Sequence, residues 1–356
     1  MADLRDTSAS AHDPGLSAWL KMTVDQEDGD YATYFGSELF EQHKDLSGGH
    51  HADSDPDDAV IAALVADLVS LEARALCSTT GNDRQLARTR AAVQALAGLP
   101  DLAPDRKPDT GPFGAADMSL LLDEPDDAKF AELASDIAAA VSSSVSAGTR
   151  RLVDLTLIPA TRMHDEQMFI RIIQVFEILY THVAQCLAIA VDSLDRGDVS
   201  TTCAVLTKAT GRIQATRTLF RVLTTMPPEA FSAIRNNTHG RSAIQSTSYR
   251  RVELLSATPP AGSPPSHQAL TPDEAAGPTL QEVFRRRTPR LSGHDVRRLV
   301  KAMQALDSGW TTGKRTHWGI TLKIIGRVPG TGGTSGADFL KARSQAPLFP
   351  FLHGPA

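Results

Sequence analysis

His317 heads a helical pattern in which Ile320, Thr321 and Ile324 fall on its own face, so its imidazole would stand among largely apolar neighbours. A neutral imidazole so placed can bind iron through one ring nitrogen while the surroundings hold a macrocycle and keep bulk water away, which is what a haem site needs. The same spacing also suits a structural or surface histidine. Arg235 closes the segment FSAIR, one helical turn after Phe231. A guanidinium beside a ring can grip a carboxylate in two-pronged fashion while the ring packs on the rest of an amino-acid ligand; the bland alternative is a surface arginine. The run GTGGTSG at 330–336 could turn backbone amides toward an anion. It follows a helix rather than a strand and lacks a P-loop lysine, so a phosphate cradle is excluded, leaving a solvent loop or a lid whose hydroxyls and amides act as donors.

Two further groups invite a metal-site reading, His164-Asp165-Glu166 and His50-His51. Adjacent helical residues project in different directions and seldom ligate one ion, so acids meeting a helix N-terminal dipole are the better account of the first. Cys77, Cys186 and Cys203 are odd in number and lack CxxC spacing, which argues for reduced, structural thiols.

The elements that must position these residues are helical, and strand patterning is scarce. Over 163–194, Phe169, Ile172, Ile173, Phe176, Leu179, Tyr180, Val183 and Leu187 recur at three- and four-residue steps, with Gly197 as the stop. A second long helix over 199–225 ends before Pro227-Pro228 and pairs antiparallel with the first. Alanine-rich amphipathic helices are expected over 59–76, 83–96 and 126–145, and shorter ones over 229–236 and 243–255. Ser292 with Asp295 resembles a cap for a helix to Leu306, and 317–325 is helical again until Gly326. Residues 31–46 carry apolar positions at loosely helical spacing, and 257–278 reads as a Pro-rich loop.

With 356 residues, 41% of them hydrophobic, the chain can bury a large core. A formal charge of -6 leaves no basic surplus for phosphates, so nucleic acid is not expected as a partner. No apolar run of about 20 residues stands out and the N-terminal residues lack the apolar core of a secretory signal, so no membrane and a cytoplasmic location are expected.

Four segments, in order, resemble the tryptophan 2,3-dioxygenase superfamily: YATYF with LFEQHKDLS, HDEQMFIRIIQVFEILY, MPPEAFSAIRNNTHGRSAIQSTSYRRVE, and HWGITLKIIGRVPGTGGTSGADFL. The fourth keeps the family's spacing from ligand histidine to glycine-rich loop without a gap. The resemblance covers roughly 31–49, 162–256 and 310–352 and implies an all-α, haem-binding dioxygenase-like bundle. It divides the chain into a flexible N-terminus at 1–30, the first element of the catalytic domain at 31–49, an inserted helical subdomain at 50–161 and the haem-binding catalytic domain at 162–356. It implies that His317 is the proximal ligand of haem b iron, that Arg235 and Thr331 bind the carboxylate and ammonium of the substrate, and that Phe169 and Phe231 line an indole pocket. Tyr31 and Tyr34 would reach a neighbouring subunit's site in a homo-oligomer, a dimer or the family's tetramer.

The departures bear on chemistry. The family's distal histidine falls on Ile173, Gly-Phe-Gln-Ser becomes Ala243-Ile244-Gln245-Ser246, and the Trp-Arg-x-Arg-His lead-in becomes Gly313-Lys314-Arg315-Thr316-His317. No catalytic side chain is therefore assigned. The implied reaction is O2-dependent oxidation of the indole ring of L-tryptophan or a derivative, opening it to an N-formylkynurenine-type product. Monooxygenation of a modified tryptophan, a haem-binding sensor without turnover, and a haem-free helical interaction protein are the alternatives.

Overall fold

The computed structural model describes residues 34–36, 39–40, 56–79, 82–103, 115–237, 246–258, 277–329 and 335–354. Every regular element among the described residues is helical, as expected of an all-α chain. We number the helices α1 (Pro56–Ser78), α2 (Asp83–Ala97), α3 (Leu99–Leu102), α4 (Ala115–Leu122), α5 (Asp127–Ser143), α6 (Ala147–Thr156), α7 (His164–Arg196), α8 (Val199–Leu223), α9 (Pro228–Asn237), α10 (Thr247–Ser256), α11 (Leu280–Arg287), α12 (Gly293–Ile325) and α13 (Ala337–Gln345). The chain forms two compact units, one of Met1–Phe176 and Thr218–Arg241, the other of Glu177–Arg217 and Ser242–Ala356.

In the first unit α1 is covered nearly all round, with Ile61, Leu64, Val65 and Leu68 buried alongside Ala62, Ala66 and Ala73. It packs chiefly on α5 and then on α2. On α5 the buried positions Phe130, Ala131, Ala134, Ile137 and Ala138 form one stripe, and its alanines permit close approach. Side-chain caps start these helices: Asn82 accepts from the Gln85 amide, Asp126 from Lys129 and Ser146 from Thr149.

The second unit is built around Val183, Leu187 and Leu194 of α7, Leu206 and Ile213 of α8, Val283 of α11 and Leu299, Met303, Leu306 and Trp310 of α12, closed by Leu348 and Phe349. Buried Asp307 draws that last segment onto α12 by accepting from the Leu348 amide at 2.5 Å and the Phe349 amide at 3.3 Å, with His353 at 2.8 Å. A Thr279–Glu282 capping box opens α11.

Gly197 (φ +84) does end α7, and the two long helices run antiparallel: Phe176 meets Phe220, and His182 meets Arg212. Gly326 (φ +65) ends α12, and Ser292 caps it by accepting from the Asp295 amide at 3.1 Å. Between them the sequence reading needs correction, because 293–325 is one unbroken helix rather than two. Its midsection contains no proline, and Gly309 costs only about 1 kcal/mol relative to alanine where α12 passes the side chain of Ile213. A second correction concerns α7, which is long and apolar enough by composition to cross a membrane, although no such run stood out in the sequence. Within the protein 72% of that apolar window is buried, as befits a core helix. Helices α3, α4, α6, α11 and α13 are not among those expected from the sequence; residues 243–245 and 259–276 lie outside the described set.

Candidate functional site

The His164-Asp165-Glu166 triplet at the start of α7 is a three-way clamp. His164 meets Glu72 of α1 at 3.0 Å, and Asp165 accepts from Arg88 of α2 at 2.6 Å. Glu166, fully buried, accepts from the Ala160 amide at 2.8 Å, the Thr161 amide at 2.6 Å and the Tyr34 hydroxyl at 2.5 Å. Successive helical positions thus bind different segments: α1, α2, and for Glu166 both residues 160–161 and Tyr34. Among the described residues no group of three or more His, Cys, Asp or Glu could hold a metal. His50 and His51 lie outside those residues. The three cysteines are free thiols.

One turn into α7, half-buried Phe169 packs edge-to-face on half-buried Phe231 of α9, ring centroids 6.0 Å apart. Phe231 and Arg235 are four residues apart on α9, as their spacing predicted, and Arg235 is half-buried. The first unit therefore brings two substrate-ring candidates into contact, with the arginine one turn further along the same helix. Ile173, the position expected to lack an imidazole, is an 8% exposed part of this unit's core. Sequence reasoning missed Phe35, which stacks edge-on to Phe169 at 6.0 Å and to Tyr34 at 4.7 Å. Its adjacency to Tyr34 was the signal that could have found it. Tyr34 is buried and, within one chain, commits its hydroxyl to Glu166. Tyr31 lies outside the described residues.

In the second unit His317 is half-buried on α12, between buried Lys314 on one side and Ile320, Thr321 and Ile324 on the other. Burial lowers its pKa, so the neutral ring, the form that ligates iron, prevails at neutral pH. The donor set fits haem in its ligand atom, a neutral ring nitrogen with Ile320 and Ile324 on the C-terminal side of its helical face. Two turns before His317, Trp310 stacks on Tyr249 at 4.6 Å and meets Tyr180 edge-on at 5.6 Å, a cluster with no sequence signature. Burial raises both tyrosine pKa values, keeping their hydroxyls protonated. Thr331 and 330–334 lie outside the described residues, so their expected contacts have no structural account. Beyond them α13 is joined to α10 by the Arg343–Glu253 ion pair, and Lys341 lies 5.9 Å from the Trp318 ring.

No family model matches the chain. Against curated proteins it is 25% identical to the tryptophan 2,3-dioxygenase of Anaeromyxobacter sp. (strain K), over 54% of this chain and 87% of that protein. It is 26% identical to the tryptophan 2,3-dioxygenase of Nocardioides sp. (strain ATCC BAA-499 / JS614), over 54% and 84%. The enzyme of that name from Caulobacter vibrioides (strain ATCC 19089 / CIP 103742 / CB 15) is 25% identical, over 54% and 89%.

Proposed function

We propose that this divergent relative of the tryptophan 2,3-dioxygenases is a haem-dependent oxygenase of the indole ring, acting on L-tryptophan or a tryptophan derivative with O2. The observation that carries the reading is His317: a neutral imidazole on an apolar turn of α12, in a segment similar to the family's ligand helix. Haem b, when bound, supplies the dioxygen chemistry. The protein's side chains do the rest. His317 holds the iron, Phe169 and Phe231 offer their rings to the indole, and Arg235 pairs with the substrate carboxylate. Thr331 binds the ammonium and carboxylate, and Tyr31 and Tyr34 complete the pocket in a homodimer or homotetramer. With the Tyr34 hydroxyl already given to Glu166, its contribution is the ring.

The principal product on this reading is the ring-opened N-formylkynurenine type. Ile173 leaves room for a second outcome, because an aliphatic side chain there can neither take the indole N–H proton nor donate a hydrogen bond. That outcome is transfer of one oxygen atom of O2 to a modified tryptophan, the other atom leaving as water on two electrons and two protons from an external reductant. The relatives are matched over 84–89% of their length but only 54% of this chain, which supports reading 50–161 as an insertion in the catalytic framework. A soluble, cytoplasmic protein fits the burial of α7.

The test is the electronic spectrum of haem-loaded protein and of His317→Ala, followed by tryptophan and O2 added to the ferrous form. A Soret band lost in the variant, with absorbance of ring-opened product in the wild type, is the expected result. A Soret band with oxidised but unopened indole selects the one-atom reaction. No haem uptake refutes the reading.

A further inference from the structure

The Tyr34–Phe35 segment is tied to the inserted helices by a continuous line of hydrogen bonds, buried except at its Asp67 end. Asp67 of α1 accepts from Arg171 Nε at 2.7 Å, and Arg171 Nη1 donates to Gln174 Oε1 at 2.9 Å. Gln174 Nε2 then donates to the Phe35 carbonyl at 3.1 Å and to the Thr156 carbonyl at 3.0 Å. Arg171 further donates to Thr156 Oγ1 at 3.2 Å and to the Val153 carbonyl at 2.9 Å, both on α6. The line has one polarity. Arginine is only a donor, so the Gln174 carboxamide must present its oxygen to Arg171, which aims both amide protons at the Phe35 and Thr156 carbonyls. Arg171 and Gln174 are 1% and 0% exposed, whereas the Asp67 side chain, at 25%, is the one that solvent reaches.

A buried guanidinium is a poor way to gain stability, since an apolar side chain of similar volume would serve as well or better. What it provides here is geometry. Phe35 is the third ring of the Phe35–Phe169–Phe231 line, and its backbone is held at the carbonyl that Gln174 grips.

We propose that Asp67, Arg171 and Gln174 are positioning residues through which α1 and α6 of the inserted stretch set where Phe35 lies against Phe169, and so shape the aromatic wall that recognises the indole. This rests on the reading of Phe169 and Phe231 as that wall. The insertion then acts on substrate recognition without contributing a side chain to the substrate.

Two variants test it. Gln174→Glu keeps an acceptor for Arg171 but has no N–H for the Phe35 carbonyl; Asp67→Asn weakens the partly exposed end and is the safer fold. Amide hydrogen exchange over 34–40 is measured on the full chain, with no substrate needed, and L-tryptophan affinity is read from the spectral shift of haem-loaded protein. Losing both hydrogen bonds that Gln174 Nε2 donates, to the Phe35 and Thr156 carbonyls, predicts exchange over 34–40 faster by about tenfold or more in Gln174→Glu and about tenfold weaker tryptophan binding, with kcat changed much less than KM. Exchange over 34–40 unchanged in both variants overturns the relay whatever turnover does. Faster exchange with unaltered tryptophan affinity overturns its part in recognition. If the wild type binds no tryptophan, the proposed function fails, and exchange alone still decides whether the relay holds Phe35.

Discussion

Lys314→Met should stabilise the protein at neutral pH. The Lys314 ammonium is buried, donates to the Ala346 carbonyl and lies 4.0 Å from Glu253. Burial lowers its pKa from 10.5 to about 8, with Glu253 and Asp307 opposing the change and Arg343 adding to it. The folded state therefore holds this proton less tightly than the unfolded chain. The stabilising contribution is full above the unfolded pKa of 10.5 and is lost as pH falls through about 8. At pH 7 both states are protonated and the cost of burying the charge stands, about 3 kcal/mol at about 1.4 kcal/mol per pH unit. Methionine fills a similar channel and gives up one hydrogen bond to the Ala346 carbonyl, worth about 1 kcal/mol. The net expectation is a gain of about 2 kcal/mol at pH 7, read by urea unfolding followed by tryptophan fluorescence. The gain should vanish or change sign near pH 10, where the wild-type lysine is neutral when folded. A variant less stable than wild type at pH 7 would refute the reasoning, by showing that the Glu253 attraction and the carbonyl bond outweigh desolvation.

Arg235→Ala should raise the apparent Kd for L-tryptophan by roughly thirtyfold, the worth of about 2 kcal/mol from a charged hydrogen-bond pair, while leaving the Soret band in place. Indole, which has no carboxylate, should bind both proteins equally, and an equal loss for indole would discount the assignment. Glu166→Gln should cost about 3 kcal/mol in unfolding free energy, because a buried amide would turn N–H groups toward donors that the carboxylate now accepts from. A loss under about 1 kcal/mol would mean that the clamp on Tyr34 and Thr161 matters little to stability.

Local chemistry explains which parts of this architecture could be read from the chain. Gly197 and Gly326 are legible as stops because the backbone there needs positive φ, and Ser292 is legible as a cap because a hydroxyl three residues before Asp295 can reach its amide. The Phe169, Phe231, Arg235 and His317 positions came from spacing plus resemblance, and the structure adds the ring contact between the first two. Phe35 could be suspected only from its adjacency to Tyr34, because its partner is 134 positions away and nothing in YATYF says which ring it will meet. Tyr180, Tyr249 and Trp310 stayed hidden for the same reason. The continuity of α12 was illegible because Gly309 and Gly313 look like breaks until the packing of Ile213 beside Gly309 is known.

The clasp that Asp307 makes on Leu348 and Phe349 has a consequence for birth on the ribosome. Every segment of the first unit has been synthesised once residue 241 is made, whereas the second unit cannot close its core before Phe349 arrives. At about 5–20 residues per second that interval lasts on the order of 5 to 20 s. Early in it Val183, Leu187, Val191 and Leu194 on the apolar second half of α7 wait without α11 and α12, and to its end without Phe349, to cover them. The nascent chain then presents a greasy rod for seconds, which makes this interval the one in which a holdase chaperone has most to protect.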